Sequence, residues 1–467
     1  MKTMTLGEIA RAVQGKLRQG DEGTPVRAVS IDSRSIAGGE LFFALRGQRH
    51  DGHDFVPGAL AAGAAGAVVE RMVPGVDPGV PLIQVENTLT ALQRLASYNR
   101  NAYRVPVIGI TGSSGKTSTK DLVAAALSRR FITLKTTGNR NNEIGLPLTL
   151  LELDERFQAV VVEMAMRGPG EIAFLCRLAR PTGAVITNIG EAHIERLGSV
   201  DNIARAKGEI LEAIGPGGFA LLHRDSPYIS REAARCRGRV YFFGIDGEAD
   251  ILGRDIRAEK GGSRFKVRVP GGEEREIFLP LPGRHNVENA LAAIGVAWAL
   301  GISLEDIAAG LAGAALTPMR LEQINCRGLV ILNDAYNANP SSTRAALQVL
   351  AGWEAGGRRI AVLGDMLELG SEAQPAHYRA GSEAAGVADY LVAVGSLARF
   401  MADGALAAGM PGENVFRCAN NAEAAEILET LARPGDVILV KGSRGMRMEE
   451  IVQALIRGQN TSAEGKT

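Results

Sequence analysis

The chain has 467 residues, and its 52 Lys and Arg exactly offset 52 Asp and Glu, leaving no net charge. Hydrophobic residues make up 46% and charged residues 22%, which excludes a disordered chain, a collagen or a coiled coil, and the even charge argues against a nucleic-acid partner held by bulk phosphate attraction. At about 100–200 residues per domain the length predicts two to four domains.

The first part, Met1 to about Val85, alternates short strands such as Leu41–Leu45 and Gly66–Glu70 with an Ala-rich helix over Pro57–Ala65. The N-terminus mixes Glu8 and Arg11 into an apolar helical pattern, so it does not read as a signal peptide. The apolar stretch Ala59–Val69 is interrupted by Gly63 and Gly66, so no membrane span is expected and a cytoplasmic location is predicted. Cys176, Cys236, Cys326 and Cys418 are too scattered for a disulfide framework or a zinc knuckle.

A connecting helix over Ala91–Tyr103 leads into the apolar run Val105–Thr111, a turn over Gly112–Gly115 and a helix over Lys116–Arg130. Further strands are predicted at Ala159–Glu163, Gly183–Thr187 and Gly218–Leu222. Helical segments separate them, as in a parallel sheet. From Ala249 to Leu281 the polar alternation and Gly-Gly turn suggest a small antiparallel insertion, followed by a helix over Asn286–Leu300. Leu316-Thr-Pro-Met-Arg320 reads as a hinge. Beyond it the α/β pattern restarts with strands at Leu329–Asp334, Arg359–Leu363, Tyr390–Val394 and Asp436–Val440. The tail from Gly458 reads as frayed.

The strongest local signal is Thr111-Gly-Ser-Ser-Gly-Lys-Thr-Ser-Thr119, set between a buried strand and a helix. Gly112 and Gly115 allow a tight turn whose N–H groups, with those of Ser113, Ser114 and Ser118, face phosphate oxygens at a helix N-terminus. Lys116 would reach the outer phosphates and the Thr117 hydroxyl would bind Mg²⁺. Ile110 stands where the general motif has its first Gly, so this is a shorter form of the loop.

Glu163 ends an apolar run, and a carboxylate there is costly unless it is paired or metal-bound. His193, in the loop after Gly183–Thr187, could supply an imidazole to a second cation. Lys207, in Asn202-Ile-Ala-Arg-Ala-Lys-Gly-Glu-Ile210, reads by itself as a surface lysine.

Taken together, Asp32-Ser-Arg34, Gly39–Gly47, Asp51-Gly-His-Asp-Phe55, the phosphate loop, Glu163, Thr187-Asn188 with His193, Ala206-Lys-Gly-Glu209, Gly283–Asn289, Met319-Arg320 and Asn333–Pro340 resemble the Mur ligases. These are the ATP-dependent amide-forming enzymes of bacterial peptidoglycan synthesis. The resemblance implies a three-domain α/β fold: a small uridine-binding domain over 1–85, a central P-loop parallel-sheet ATPase domain over 86–315 and a C-terminal Rossmann-like domain over 316–467. Within the family, Gly138–Pro147, Asp334–Pro340, Gly364–Gly370 and Lys441–Gly445 look like the member that joins D-alanyl-D-alanine to a UDP-N-acetylmuramoyl tripeptide through an acyl phosphate.

By position, the resemblance implies that Lys116 and Thr117 hold ATP phosphates and Mg²⁺. It makes Glu163 and His193 bind Mg²⁺ and Lys207 the carbamylated lysine. Asn286 and Asn289 would lie at the adenine, Arg320 at the terminal phosphate and Asp334 at the ribose. Ser33 would belong to the uridine pocket, Asn139 and Asn142 to the nucleotide-sugar site, and Tyr336, Asn339 and Ser443 to the dipeptide pocket. Small-molecule substrates, no nucleic-acid partner and a monomer are expected.

Three other classes share parts of this pattern. The preceding ligase of the pathway would carry an Asp-Asn-Pro-Arg type motif in its last domain, and none is found. Folylpolyglutamate synthetase lacks the N-terminal uridine domain. A GTPase-like switch would carry an N-K-x-D motif, yet the chain contains no Asn-Lys dipeptide.

Overall fold

A computed structural model describes residues 1–191, 194–245, 247–353 and 356–458. Apolar runs bounded by turn residues form three sheets of three or more strands. The first holds, in spatial order, Lys16–Gln19, Leu82–Gln84, Gly66–Val69, Leu41–Phe43 and Val29–Ser30. The second has nine strands. Its centre runs Phe219–His223, Gly183–Ile186, Val107–Thr111, Ala159–Glu163 and Thr133–Lys135, all parallel. The third has six strands, parallel except for the edge strand Glu322–Cys326.

The segment read as an insertion proves to be part of the central sheet. Ile251–Glu259 pairs in parallel with Arg239–Ile245, and Gly262–Arg268 and Glu274–Leu279 then extend the same sheet antiparallel. Local alternation reveals a hairpin but not its neighbour, because that pairing is a long-range contact.

The chain leaves Val107–Thr111 at the point where its two neighbours, Ala159–Glu163 and Gly183–Ile186, lie on opposite sides. In open α/β sheets ligands sit in the crevice at such a switch point. The register sets Glu163 beside Ile110 and Ile186 beside Thr111, so three strand ends open on one edge.

One face of the central sheet is covered by the helices Lys116–Leu127 and Arg284–Ala299, with Leu122, Val123, Ala290 and Ile294 buried among them. The other face shares a continuous core with the first sheet. Leu6, Ile9 and Phe43 pack with Leu92 and Leu95 of the helix Thr88–Asn101, and through them with Leu146, Val160 and Val162. The six-stranded sheet has cores of its own on both faces, drawn entirely from residues beyond 320. Among the described residues no helix is long and apolar enough to cross a membrane, and all four cysteines are free.

Asp436 staples the last sheet. Its side chain is 2% exposed and accepts hydrogen bonds from the backbone N–H groups of Arg358 and Arg433 at 2.9 Å, and from the Arg358 guanidinium at 2.6 Å. Burial works to raise the carboxyl pKa, but the bonds from Arg358 and Arg433 outweigh it and hold it below the usual range. Asp436→Ala should therefore lose about 3 kcal/mol of stability in urea unfolding, the typical cost of breaking a buried ion pair. Because the native carboxyl is the stronger acid, this margin is full above the unfolded pKa of about 3.9 and should fade as pH drops through the native value.

Candidate active site

The phosphate loop is built by sterics. Gly115, at φ 77°, caps the helix Lys116–Leu127 in the left-handed region, and a Cβ there would sit 2.6 Å from Asn289 Oδ1. A Cβ on Gly112 would overlap Thr187 Oγ1. The loop is also strapped to the end of the neighbouring strand. Ser113 and Ser114 donate backbone N–H groups to the carbonyl of Asn188 at 3.1 Å and to its Oδ1 at 2.9 Å. Asn188 Nδ2 donates to Ser114 Oγ at 2.7 Å, and Thr187 Oγ1 donates to the Ser114 carbonyl at 2.5 Å.

Two amines converge on the loop. Lys116 Nζ donates to the Gly112 carbonyl at 2.8 Å and Lys207 Nζ donates to the same oxygen at 3.0 Å. Lys207 is only 2% exposed, which corrects its reading as a surface residue. Ser199 caps its helix, Val200–Glu212, and Ile203, Ile210 and Leu211 lie three or four residues away on the buried stripe that Lys207 shares. Burial, with the charge of Lys116 adding to it, pushes the Lys207 amine far below the usual lysine pKa. Burial also lowers Lys116; Glu163 opposes this and Arg320 reinforces it.

Glu163 is 3% exposed and fully engaged. Thr117 Oγ1 donates to its Oε2 at 2.8 Å and Asn141 Nδ2 donates to its Oε1 at 2.8 Å. Arg320 reaches in from the linker between the central and last sheets, and its Nη2 donates to Thr117 Oγ1 at 3.1 Å. The guanidinium lies 4.0 Å above the Tyr336 ring, while its buried Nε has no hydrogen-bond partner among the described residues. Asp334 accepts from Lys441 Nζ at 2.5 Å and from the Leu321 N–H at 3.2 Å.

A cavity of about 410 Å³ joins these groups. Ser113–Ser118, Glu163, Asn286 and Asn289 line its central-sheet side, and Arg320, Asp334, Tyr336, Asn339 and Lys441 its far side. Asn339 caps the helix Pro340–Gly352, whose first turn faces the loop. Asn289 accepts from Thr119 Oγ1 at 3.1 Å, and Asn286 donates to the Pro282 carbonyl at 2.8 Å.

The remaining candidates lie elsewhere. Ser443 is buried outside this cavity, accepting from the Leu367 N–H at 2.9 Å. Asn142 caps a helical turn by accepting from Gly145 N at 2.9 Å, and Asn139 is exposed beside it. Ser33 opens the turn Ser33–Ser35 near a second cavity of about 610 Å³, where Ser30, Asp32 and Ser35 face Arg140 and Arg156. His193 lies outside the described residues. Asn141, Asn188, His285 and Lys441 also line the cavity; they sit inside the quoted sequence motifs but drew no role of their own there. Lys441 ends the buried strand Val437–Lys441, the same signal that singled out Glu163.

The strapped loop at a sheet switch point, closed over by cations from a second α/β unit, defines a multidomain phosphate-loop protein. Models of the Mur ligase family match all three parts: its catalytic domain over residues 25–100, its middle domain over 110–297 and its glutamate ligase domain over 319–444. The UDP-N-acetylmuramoyl-tripeptide--D-alanyl-D-alanine ligase of Bacillus subtilis is 41% identical over 97% of this chain and 98% of its own. A crystal structure of MurF from Acinetobacter baumannii is 34% identical with a TM-score of 0.88, covering 98% and 99% of the two chains. The MurF ligase of Thermotoga maritima in complex with ADP is 29% identical, with a TM-score of 0.80 over 92% and 97%. The chain belongs to the Mur ligase family.

Gly112→Ala should weaken nucleotide binding at least about tenfold, because a Cβ that overlaps Thr187 displaces the loop and forfeits hydrogen bonds to charged phosphate worth about 1.5–3 kcal/mol each. Calorimetric titration with ADP checks this, with circular dichroism to show that the fold persists.

Proposed function

We propose that this chain is the ATP-dependent ligase that joins D-alanyl-D-alanine to a UDP-N-acetylmuramoyl tripeptide, giving the UDP-linked pentapeptide of peptidoglycan synthesis. The observation that carries this reading is the single cavity shared by the phosphate loop and the last α/β unit, in a chain similar over its whole length to ligases of that name. The five-stranded first unit argues against a folate ligase, which lacks it.

In this reading residues 1–85 hold the uridine nucleotide, with Ser33, Asn139 and Asn142 on its side. Residues 86–315 hold ATP, and 316–467 bring the dipeptide past Tyr336, Asn339 and Ser443. The phosphoryl group passes from ATP to the tripeptide carboxylate, and the dipeptide amine then displaces phosphate from the acyl phosphate. Lys116 and Arg320 balance the charge that gathers at the terminal phosphate, and the closed cleft keeps water from the activated acyl group. Asn286 and Asn289 take the adenine side and Asp334 the ribose.

The donor set fits a hard cation. Thr117 and Glu163 already share a hydrogen bond, and Arg320 Nε, without a partner among the described residues, leaves a donor for a phosphate. Mg²⁺, held by Thr117, Glu163, His193 and a carbamylated Lys207, would lower the charge repulsion between triphosphate and carboxylate. Lys207 suits carbamylation, since only a neutral amine adds CO₂, and burial with the charge of Lys116 beside it shifts the amine toward its neutral form. We read the chain as a cytoplasmic monomer, because one chain supplies every group named.

Phosphate release should require ATP, Mg²⁺, the UDP-tripeptide and D-alanyl-D-alanine together, with a pentapeptide product by mass. Diaminopimelate and lysine tripeptides run in parallel identify the third residue. Lys116→Ala should abolish turnover in a folded protein; normal turnover would overturn the phosphate-loop role. ¹³C-bicarbonate should give a carbamate carbonyl signal that Lys207→Arg lacks.

A further inference from the structure

The backbone on both sides of Arg320 is strained. Met319 and Leu321 adopt φ of 63° and 51°, in a region that bulky side chains rarely visit. Such strain persists only where the surroundings hold it, and it concentrates at functional sites. Downstream, the segment is held by Leu321 N–H on Asp334 and by Met319 N–H, which donates to Glu322 Oε2 at 3.0 Å. Upstream, it is held by one residue of the phosphate helix. Thr317 donates its backbone N–H to Asp121 Oδ2 at 2.9 Å and its hydroxyl to the same oxygen at 2.7 Å.

Asp121 is built for this. Its side chain is 1% exposed, and its other oxygen faces Lys135 Nζ at 2.6 Å and Lys120 Nζ at 3.3 Å. The two lysines compensate the buried charge, leaving Oδ2 for Thr317. Asp121 also stands four residues after Thr117 on the same helix, so the two project from one face a turn apart. The linker therefore meets the phosphate helix twice: Thr317 on Asp121, and Arg320 on Thr117.

We propose that Asp121 is a positioning residue for Arg320: by anchoring Thr317 one helical turn from Thr117, it sets the strained linker so that the guanidinium faces the terminal phosphate. The inference rests on the placement of Arg320 at that phosphate. It assigns to the phosphate helix a second task, fixing how the last unit approaches the bound nucleotide.

The test compares the affinities of ATP and ADP, because only ATP carries the phosphate that Arg320 would meet. Calorimetry is run on the full chain with the wild type, Thr317→Val, Asp121→Asn, Arg320→Ala and the double variant Thr317→Val/Arg320→Ala. Thr317→Val, which loses one hydroxyl donor, and Asp121→Asn should each lower the preference for ATP over ADP about tenfold, the scale of one charge-assisted hydrogen bond, with ADP affinity unchanged. In the Arg320→Ala background Thr317→Val should add nothing, since both act through the same group. Equal weakening of ATP and ADP, full additivity in the double variant, or no effect of Thr317→Val would overturn the proposal. An unchanged ATP preference in Arg320→Ala would instead remove the placement of Arg320 on which it rests. Thermal unfolding of each variant separates these outcomes from loss of the fold.

Discussion

One hydroxyl joins the parts of this molecule that must work together. Thr117 Oγ1 gives its only hydrogen to Glu163 and receives one from Arg320. The phosphate helix, the carboxylate at the end of the strand Ala159–Glu163 and the guanidinium from the linker therefore share a single atom. A hydroxyl has one proton, so the two partners are not interchangeable: the acceptor must lie on one side and the donor on the other. The directions of three elements are fixed by that polarity.

Charge tells the same story on a larger scale. Lys116, Arg320 and Lys441 line a cleft whose loop Lys207 joins through the Gly112 carbonyl, and two of the cleft's acids, Glu163 and Asp334, are already hydrogen-bonded. Burial weakens the proton affinity of Lys207 and Lys116 instead of leaving full charges unbalanced. The Arg320 guanidinium rests on the face of Tyr336. A polyanion completes such a cleft, whereas a neutral ligand would leave its donors unused.

Parallel strands such as Val107–Thr111, Ala159–Glu163 and Tyr390–Val394 were legible because strands buried on both faces read as unbroken apolar runs, whereas the parallel Thr133–Lys135, Arg239–Ile245 and Val415–Cys418, only partly buried, were not. Met4–Thr5, Pro25–Val26 and Val29–Ser30 were not, being two residues long. Glu322–Cys326 was missed because an exposed edge strand carries polar residues. At the site, glycine spacing announces the loop, and the cost of a buried carboxylate announces Glu163. Lys207 stood out only through the family resemblance, because a lysine on an apolar stripe looks like an exception until the fold buries it. Asn141 and Asp121 act through partners far away in sequence, and single-residue chemistry says nothing of those distances.

The core that runs from the first sheet through the helix Thr88–Asn101 into the central sheet has a consequence for how the chain comes apart. The two sheets cover these faces with the helix they share and the side chains packed around it, so neither face stays buried once the two units part. The last sheet, with both faces covered by its own residues, has no such debt. Three sheets therefore make two cooperative blocks. A protease cut at the hinge would release one self-contained piece and leave the other whole, whereas cutting ahead of Thr88 would expose apolar surface on both sides and drive aggregation.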